Sequence, residues 1–253
     1  MATREMTAYF GHHKAASRWA TLVLGELAAS LGLRALTVYS AVEWDGYPDL
    51  GGLVADTSPD LLIYPNASQV DADSLGPLRG FHIIRDPRDM IVSGYFSHRY
   101  SHPEVFPKVS RFGTELPPHR AELATLDIDA GLSREIEFSG QFIDGMATWN
   151  YAQPHILELR MEDVIEDPLA HWTAIVAHLG WPRPASDQEF LAEILERHSF
   201  RRLAGGRDRG DLDITHHYRR GVAGDWRNYL NKDHLAQIRR RYEDLVERLG
   251  YQW

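Results

Sequence analysis

The sequence predicts an α/β fold: a P-loop-like three-layer sandwich, with a central parallel sheet and helices on both faces. Three observations lead there. Short apolar runs of strand length alternate with segments of helical periodicity, the pattern of parallel strands joined by helical crossovers. The first strand passes through a turn bearing one lysine, Lys14, straight into a long apolar helix. The 253 residues contain no internal repeat, low-complexity tract or linker-like stretch and suffice for one large core, so residues 1–253 are expected to form a single domain.

Taken in order, Thr7 to Phe10 reads as the first strand, and Ala20 to Leu31 as the apolar body of a helix stopped by Gly32. Leu36 to Tyr39 reads as a second buried strand, feeding a Gly- and Asp-rich loop from Ala41 to Asp60. Leu61 to Tyr64, ended by Pro65, and Gly80 to Ile84 are the next strands. Asp86 as N-cap, Pro87 at the first helical position and Asp89 start a helix expected to reach about Arg99. Ser101 to Leu132 is expected to be a long irregular wall. Ser133 begins a helix to about Trp149, His155 to Leu159 is a strand, and helices cover Leu169 to Leu179 and Asp187 to His198. Gly205 to Gly224 is rich in glycine and arginine and is expected to be irregular. Leu235, Ile238, Tyr242, Leu245 and Leu249 then mark a last helix ended by Gly250, with the arginines at 239–241 on its solvated face.

Composition narrows the function. There is no cysteine, hence no disulfide framework, thiolate nucleophile or cysteine-zinc site. A net charge of −9 argues against a nucleic-acid surface. No leader-like start and no apolar run of membrane length is evident, so no membrane partner and a cytoplasmic location are expected. Of 27 basic residues only Lys14, Lys108 and Lys232 are lysine. Arginine cannot give up its proton, whereas lysine can, so Lys14 suits a proton donor as well as a positive charge.

The turn at Lys14 opens a helix, whose first amides and dipole favour an anion. In open parallel sheets ligands sit beyond the carboxyl ends of strands, where Lys14 and Arg85 both fall. Tyr9 to Trp19 lacks the second glycine of a Walker A loop. It resembles instead the 5'-phosphosulfate loop of the cytosolic sulfotransferase superfamily, Pro-Lys-x-Gly-Thr-x-Trp, with Lys14, Ser17 and Trp19 at matching spacing; His13 stands for the proline and Ala16 for the glycine. Ile84 to Tyr95 resembles the family's 3'-phosphate motif, with Arg85 at a strand end and Ser93 eight residues later. Arg219-Arg220-Gly221-Val222-Ala223-Gly224-Asp225-Trp226 is similar to the family's Arg-Lys-Gly-x-x-Gly-Asp-Trp, and His198-Ser199-Phe200 to its Thr-Ser-Phe. Arg160 to Asp163 is like its Tyr-Glu-Asp stretch, with Met161 in place of the tyrosine.

The resemblance implies a sulfotransferase using 3'-phosphoadenosine 5'-phosphosulfate as co-substrate and a small acceptor bearing a hydroxyl or amine. It assigns the 5'-phosphosulfate to Lys14, Ser17 and the amides of Ala15, Ala16 and Arg18, the adenine to Trp19 and Phe200, and the 3'-phosphate to Arg85, Ser93, Arg219, Arg220 and Gly221. In-line sulfuryl transfer needs a cation and acid at the leaving phosphate and a base at the acceptor. Lys14 and Ser17 serve the first. The histidine that serves the second in cytosolic members is missing, since that region reads Ile63-Tyr64-Pro65-Asn66-Ala67. Glu43, in the loop after the second strand, is the candidate base, with His12, His13 and Asp45 as alternatives. The scheme requires no metal, and no metal-ligand spacing stands out. A small-molecule kinase of P-loop type and a non-catalytic nucleotide-binding relic are the competing readings.

Overall fold

The computed structural model describes residues 5–102 and 111–253, the side chains of 111–114 excepted. Two compact units emerge, each from two stretches of chain: Met1–Ile84 with Thr148–Ser199, and Arg85–Ala147 with Phe200–Trp253. The strands are β1 (Met6–Gly11), β2 (Ala35–Thr37), β3 (Leu61–Tyr64), β4 (Leu78–Ile84) and β5 (Ile156–Arg160). The helices are α1 (Ser17–Ser30), α2 (Leu50–Thr57), α3 (Gln69–Asp73), α4 (Pro87–Phe96), α5 (Arg111–Thr125), α6 (Ile128–Thr148), α7 (Met161–Glu166), α8 (Pro168–His178), α9 (Gln188–Arg197), α10 (Phe200–Leu203) and α11 (Lys232–Arg248).

The sheet lies wholly in the first unit. Its strands are all parallel in the order β2-β3-β1-β4-β5, so the chain winds to one side of β1 and then crosses to the other. The reversal falls between β1 and β4, the topological switch point at whose carboxyl end such sheets bind ligands. Alternation along each strand gives the sheet two apolar faces. Ala8 and Phe10 of β1 and Leu62 and Tyr64 of β3 share one core cluster with Trp44, Leu50, Leu53 and Trp149. On the other face Tyr9 stacks on Phe81 at 4.9 Å, and Trp172 of α8 meets both Phe81 and Trp19 of α1 edge-on at 5.9 Å. Helices therefore cover both faces, as the strand pattern predicts.

Several stretches differ from expectation, among them β2, which ends at Thr37 and is exposed or half-buried rather than buried. Ala41 to Asp60 is not an open loop: a 3-10 turn, Ala41–Trp44, is followed by α2. Asp49 caps α2 by accepting the Gly52 N–H at 2.8 Å, and the buried Leu50 and Leu53 lie on one helical face. Gly51 masks this helix in the sequence, yet a side chain there would strike the carbonyl of Ser74. Ser101 to Leu132 is likewise largely helical. α5 carries Pro117 and Pro118 within it, and α6 starts at Ile128 rather than Ser133, where Asp127 accepts the Ala130 N–H at 2.8 Å. Part of that segment, residues 103–110, lies outside the described residues.

In the second unit α4 ends at Phe96 and passes into a π-helical turn, Ser97–Ser101, instead of running on to Arg99 as an α-helix. α11 is tied to α6 through Asp144, which accepts from the Tyr242 hydroxyl at 2.9 Å and from Arg241 at 2.7 Å. Residues 205–224 form no helix or strand, as expected.

Candidate active site

β1 delivers the chain into a turn whose backbone is unusual. Lys14 and Ala16 both adopt left-handed conformations, at φ 66° and 57°. Each such residue with a Cβ costs roughly 1–2 kcal/mol, so the fold holds this shape against local preference. Left-handed residues in a tight turn aim successive amides to one side and form a concavity that attracts anions. The His12 carbonyl accepts the Ala15 N–H at 3.0 Å and closes the turn. Ala16 is also the N-cap of α1 and has no oxygen to offer its first amides. One turn thus brings together Lys14, Ala15, Ala16, Ser17, Arg18 and Trp19; Trp19 is packed in the core against Trp172.

Behind this turn runs a buried polar string on one face of the sheet. His12 Nε2 lies 2.7 Å from His82 Nε2, and His82 Nδ1 lies 2.7 Å from Glu158 Oε2. Trp149 donates its indole N–H to Glu158 Oε1 at 2.9 Å. The string follows from register, since Phe10 pairs with His82 and His82 with Glu158, while His12 stands two residues beyond Phe10. Burial of His12 and proximity to His82 push the His12 imidazole well below its ordinary range. Burial alone pushes His82 down to about 3. Burial raises Glu158 to about 7, against the opposing Trp149 hydrogen bond. Both histidines are therefore neutral near pH 7, and the carboxyl is the group that changes charge.

That fixes the protons along the string. An ionised Glu158 only accepts, so His82 must donate from Nδ1 and accept at Nε2. His12 then donates from Nε2 and carries its lone pair on Nδ1. When Glu158 is protonated the donors between it, His82 and His12 reverse, and His12 Nδ1 bears the hydrogen instead. The state of one carboxyl decides whether the residue two before Lys14 is a base or a donor.

Glu43 is placed differently. It sits in the 3-10 turn after β2, exposed, and its carboxylate accepts the backbone N–H groups of Ser40, at 2.9 Å, and Tyr39, as half of a capping box. His13 is half-buried and Asp45 exposed.

In the second unit, Arg85 is buried directly after β4, and Ser93 is half-buried on α4. The loop carrying Arg219 to Trp226 is organised by two carboxylates. Asp89 of α4 accepts from Gly224 N–H at 2.6 Å and Trp226 N–H at 2.9 Å. Asp225, 2% exposed, takes an ion pair from each of Arg219 and Arg220. Burial works to raise the Asp225 carboxyl, but Asn228 and the two arginines outweigh it and hold the group below its usual range. The Arg219 guanidinium lies 4.5 Å over the ring of Phe96. Gly221, at φ 69°, lies so close to Phe200 that a Cβ would come within 2.5 Å of the ring. Phe200, Arg219, Arg220 and Gly221 are thus brought together.

Residues 78–250 match the family model described as "Sulfotransferase domain". The chain belongs to that family. The match begins after the Lys14 turn and takes in β4, β5, α4 and residues 219–226. Cytosolic sulfotransferase 1 of Arabidopsis thaliana is 23% identical over 170 residues, covering 62% of this chain and 47% of that protein. The matched region therefore spans about half of that relative's length. Among solved structures, mouse sulfotransferase SULT7A1 complexed with PAP aligns over 97% of this chain and 86% of its own, at 16% identity and a TM-score of 0.58. Retinol dehydratase in complex with androsterone and inactive cofactor PAP aligns over 95% and 80%, at 17% identity and a TM-score of 0.52. Both likenesses show the fold.

Sequence reasoning misses His82 and Glu158 altogether, and it misses the parts that Asp89 and Asp225 play in holding the 219–226 loop. A signal existed for the first two. Each is a polar residue with an apolar neighbour on either side inside a strand, and strands that pair in parallel bring such residues side by side. Among the described residues no helix is long and apolar enough to cross a membrane.

Proposed function

We propose that this chain is a sulfotransferase that moves a sulfuryl group from 3'-phosphoadenosine 5'-phosphosulfate to the hydroxyl or amine of a small acceptor, in the cytoplasm. The observation that carries this reading is the left-handed Lys14–Ala16 turn at the head of α1, in a chain of the sulfotransferase family. In the first unit the amides of Ala15, Ala16, Ser17 and Arg18 and the Ser17 hydroxyl take the 5'-phosphosulfate. Lys14 neutralises the charge that builds on the leaving phosphate oxygen as the S–O bond breaks, and gives it a proton. In the second unit Arg85, Ser93, Arg219, Arg220 and the Gly221 amide serve the 3'-phosphate, and Phe200 serves the adenine. Asp225 sets the direction of the two arginines.

The acceptor's proton goes to His12 Nδ1 as its oxygen or nitrogen bonds to sulfur. What supports His12 over Glu43 is the string behind it: charge arriving on His12 is answered through His82 by the Glu158 carboxylate. Glu43 is the alternative base, and its carboxylate already caps a turn. The experiment is to supply 3'-phosphoadenosine 5'-phosphosulfate with phenols, sugars, alkyl alcohols and amines, and to follow release of the 3',5'-bisphosphate. Acceptor-dependent release supports the reading. Tight binding without release from any acceptor favours the non-catalytic relic, and magnesium-dependent use of ATP favours the kinase.

A further inference from the structure

The second unit holds a cluster that the proposed reaction does not use. His98 lies in the π-helical turn after α4, His119 in α5 and Glu135 in α6. Their exposures are 0%, 3% and 0%. His98 Nδ1 is 3.0 Å from both Glu135 oxygens, and His119 Nε2 is 2.8 Å from Oε2. One donor atom from each lies within 4.8 Å of the others.

We propose that His98, His119 and Glu135 form a structural site for a zinc-type divalent ion, which clamps the π-helical turn, α5 and α6 together. Two imidazoles and one carboxylate are a ligand set that suits zinc, leaving a fourth position for water. Zinc bonds of about 2.0–2.1 Å in a tetrahedron place ligand atoms about 3.3 Å apart. The nitrogen-to-carboxylate spacings of 2.8–3.0 Å lie a few tenths of an ångström below that, and all three donor atoms lie within 4.8 Å of one another. The π-helical turn is an irregularity that in helices often accompanies a functional site. Two further features shape the cluster. A Cβ on Gly94 would stand 2.5 Å from Glu135 Oε1, so glycine there makes room for the carboxylate. Phe138 stacks on the His119 ring at 3.8 Å and 5°, which fixes its plane.

The Ser139 hydroxyl also donates to Glu135 Oε1, which holds the carboxylate in place between the two imidazoles. A metal bound at His119 Nε2 leaves the ring hydrogen on Nδ1, which is buried without a hydrogen-bond partner. Affinity should accordingly fall below that of sites with a complete outer shell, by about 10- to 100-fold.

The test is cobalt and zinc loading of the full chain, purified without a polyhistidine tag. The expected result is about one equivalent of metal retained after gel filtration, with the visible absorption of tetrahedral cobalt. The melting temperature should rise with zinc and fall with a chelator. Glu135→Gln, which keeps the shape but replaces one accepting oxygen by a donor and removes the charge, should lose the metal. The proposal is overturned if wild-type protein retains less than about a tenth of an equivalent with no thermal response, or if Glu135→Gln binds metal as wild type does. These readouts do not depend on sulfotransferase activity.

Discussion

His12 and His82 face each other through their Nε2 atoms at 2.7 Å, so only one of the two nitrogens can carry the shared hydrogen. Glu158, hydrogen-bonded to the far side of His82 at 2.7 Å, decides which. With the carboxyl raised to about 7, the string presents a basic His12 above that pH and a protonated Nδ1 below it. Turnover should therefore rise with pH through one ionisation near 7. Glu158→Gln should abolish that step, and His82→Phe should lower kcat at high pH while leaving nucleotide binding intact. A kcat profile from pH 5 to 9 checks this; a flat wild-type profile contradicts the relay. Nitrogen-15 shifts of the two histidines provide an acceptor-free check, since both tautomers should switch together.

The same shift affects stability with a definite sign. A carboxyl raised in the folded state is destabilising once ionised, so its contribution is fully present below about pH 4 and lost as pH rises through about 7. Glu158→Gln should unfold at a higher temperature than wild type at pH 8, and the difference should shrink toward pH 4.5. Equal differences at both pH values would place the titration elsewhere.

Lys14→Ala should lower turnover by at least ~100-fold, the scale of removing one electrostatic stabiliser. Lys14→Arg should recover little, because arginine keeps the charge and does not yield a proton. Near-normal rates for either variant, measured as bisphosphate release, would remove the lysine from the mechanism.

Ala16, at φ 57°, takes a conformation that glycine adopts freely. Ala16→Gly should leave the turn intact and stabilise the fold by up to about 1 kcal/mol in urea unfolding, strain relief being offset by the entropy of the unfolded chain. Ala16→Val should destabilise it and weaken nucleotide binding. A clear loss of stability in the glycine variant would mean that the turn is not left-handed at this residue.

Asp89 looks in sequence like one more helix-capping acid, but it holds the Gly224 and Trp226 amides. Asp89→Ala strands both donors and should cost roughly 2–3 kcal/mol, with weaker binding of 3'-phosphorylated nucleotides. Glu43→Gln makes the opposite case. Glutamine preserves the capping box, so turnover should stay within a few-fold of wild type, while a collapse in rate would restore Glu43 as the base.

Legibility in the sequence followed the range of the interaction. β1, α1 and α11 are set by local periodicity and end signals, and they appear close to where those signals put them. α2 and α5 were hidden by glycine and proline residues whose reasons lie elsewhere in the fold: Gly51 gives way to the Ser74 carbonyl, and Pro117 and Pro118 are carried within a helix. The Lys14 turn and the 219–226 loop were visible as motifs, whereas the carboxylates that organise the site were not. His82, Glu158 and Asp89 act through partners far away in sequence, and pairing register or loop closure, which one sequence does not display, brings them into contact, while Asp225 meets Arg219 and Arg220 only because the loop between them folds back.

The central claim is the nucleotide. Its most direct test is the thermal shift of the full chain with 3'-phosphoadenosine 5'-phosphate, set against ADP and against ATP with magnesium. Ligand at 100 times its dissociation constant stabilises the folded state by about 2.7 kcal/mol, a readily measured shift. The account predicts that shift for the 3'-phosphorylated nucleotide alone, and its reduction in Arg85→Ala and Arg219→Ala. A shift with ATP and magnesium instead, or with none of the three, would contradict it.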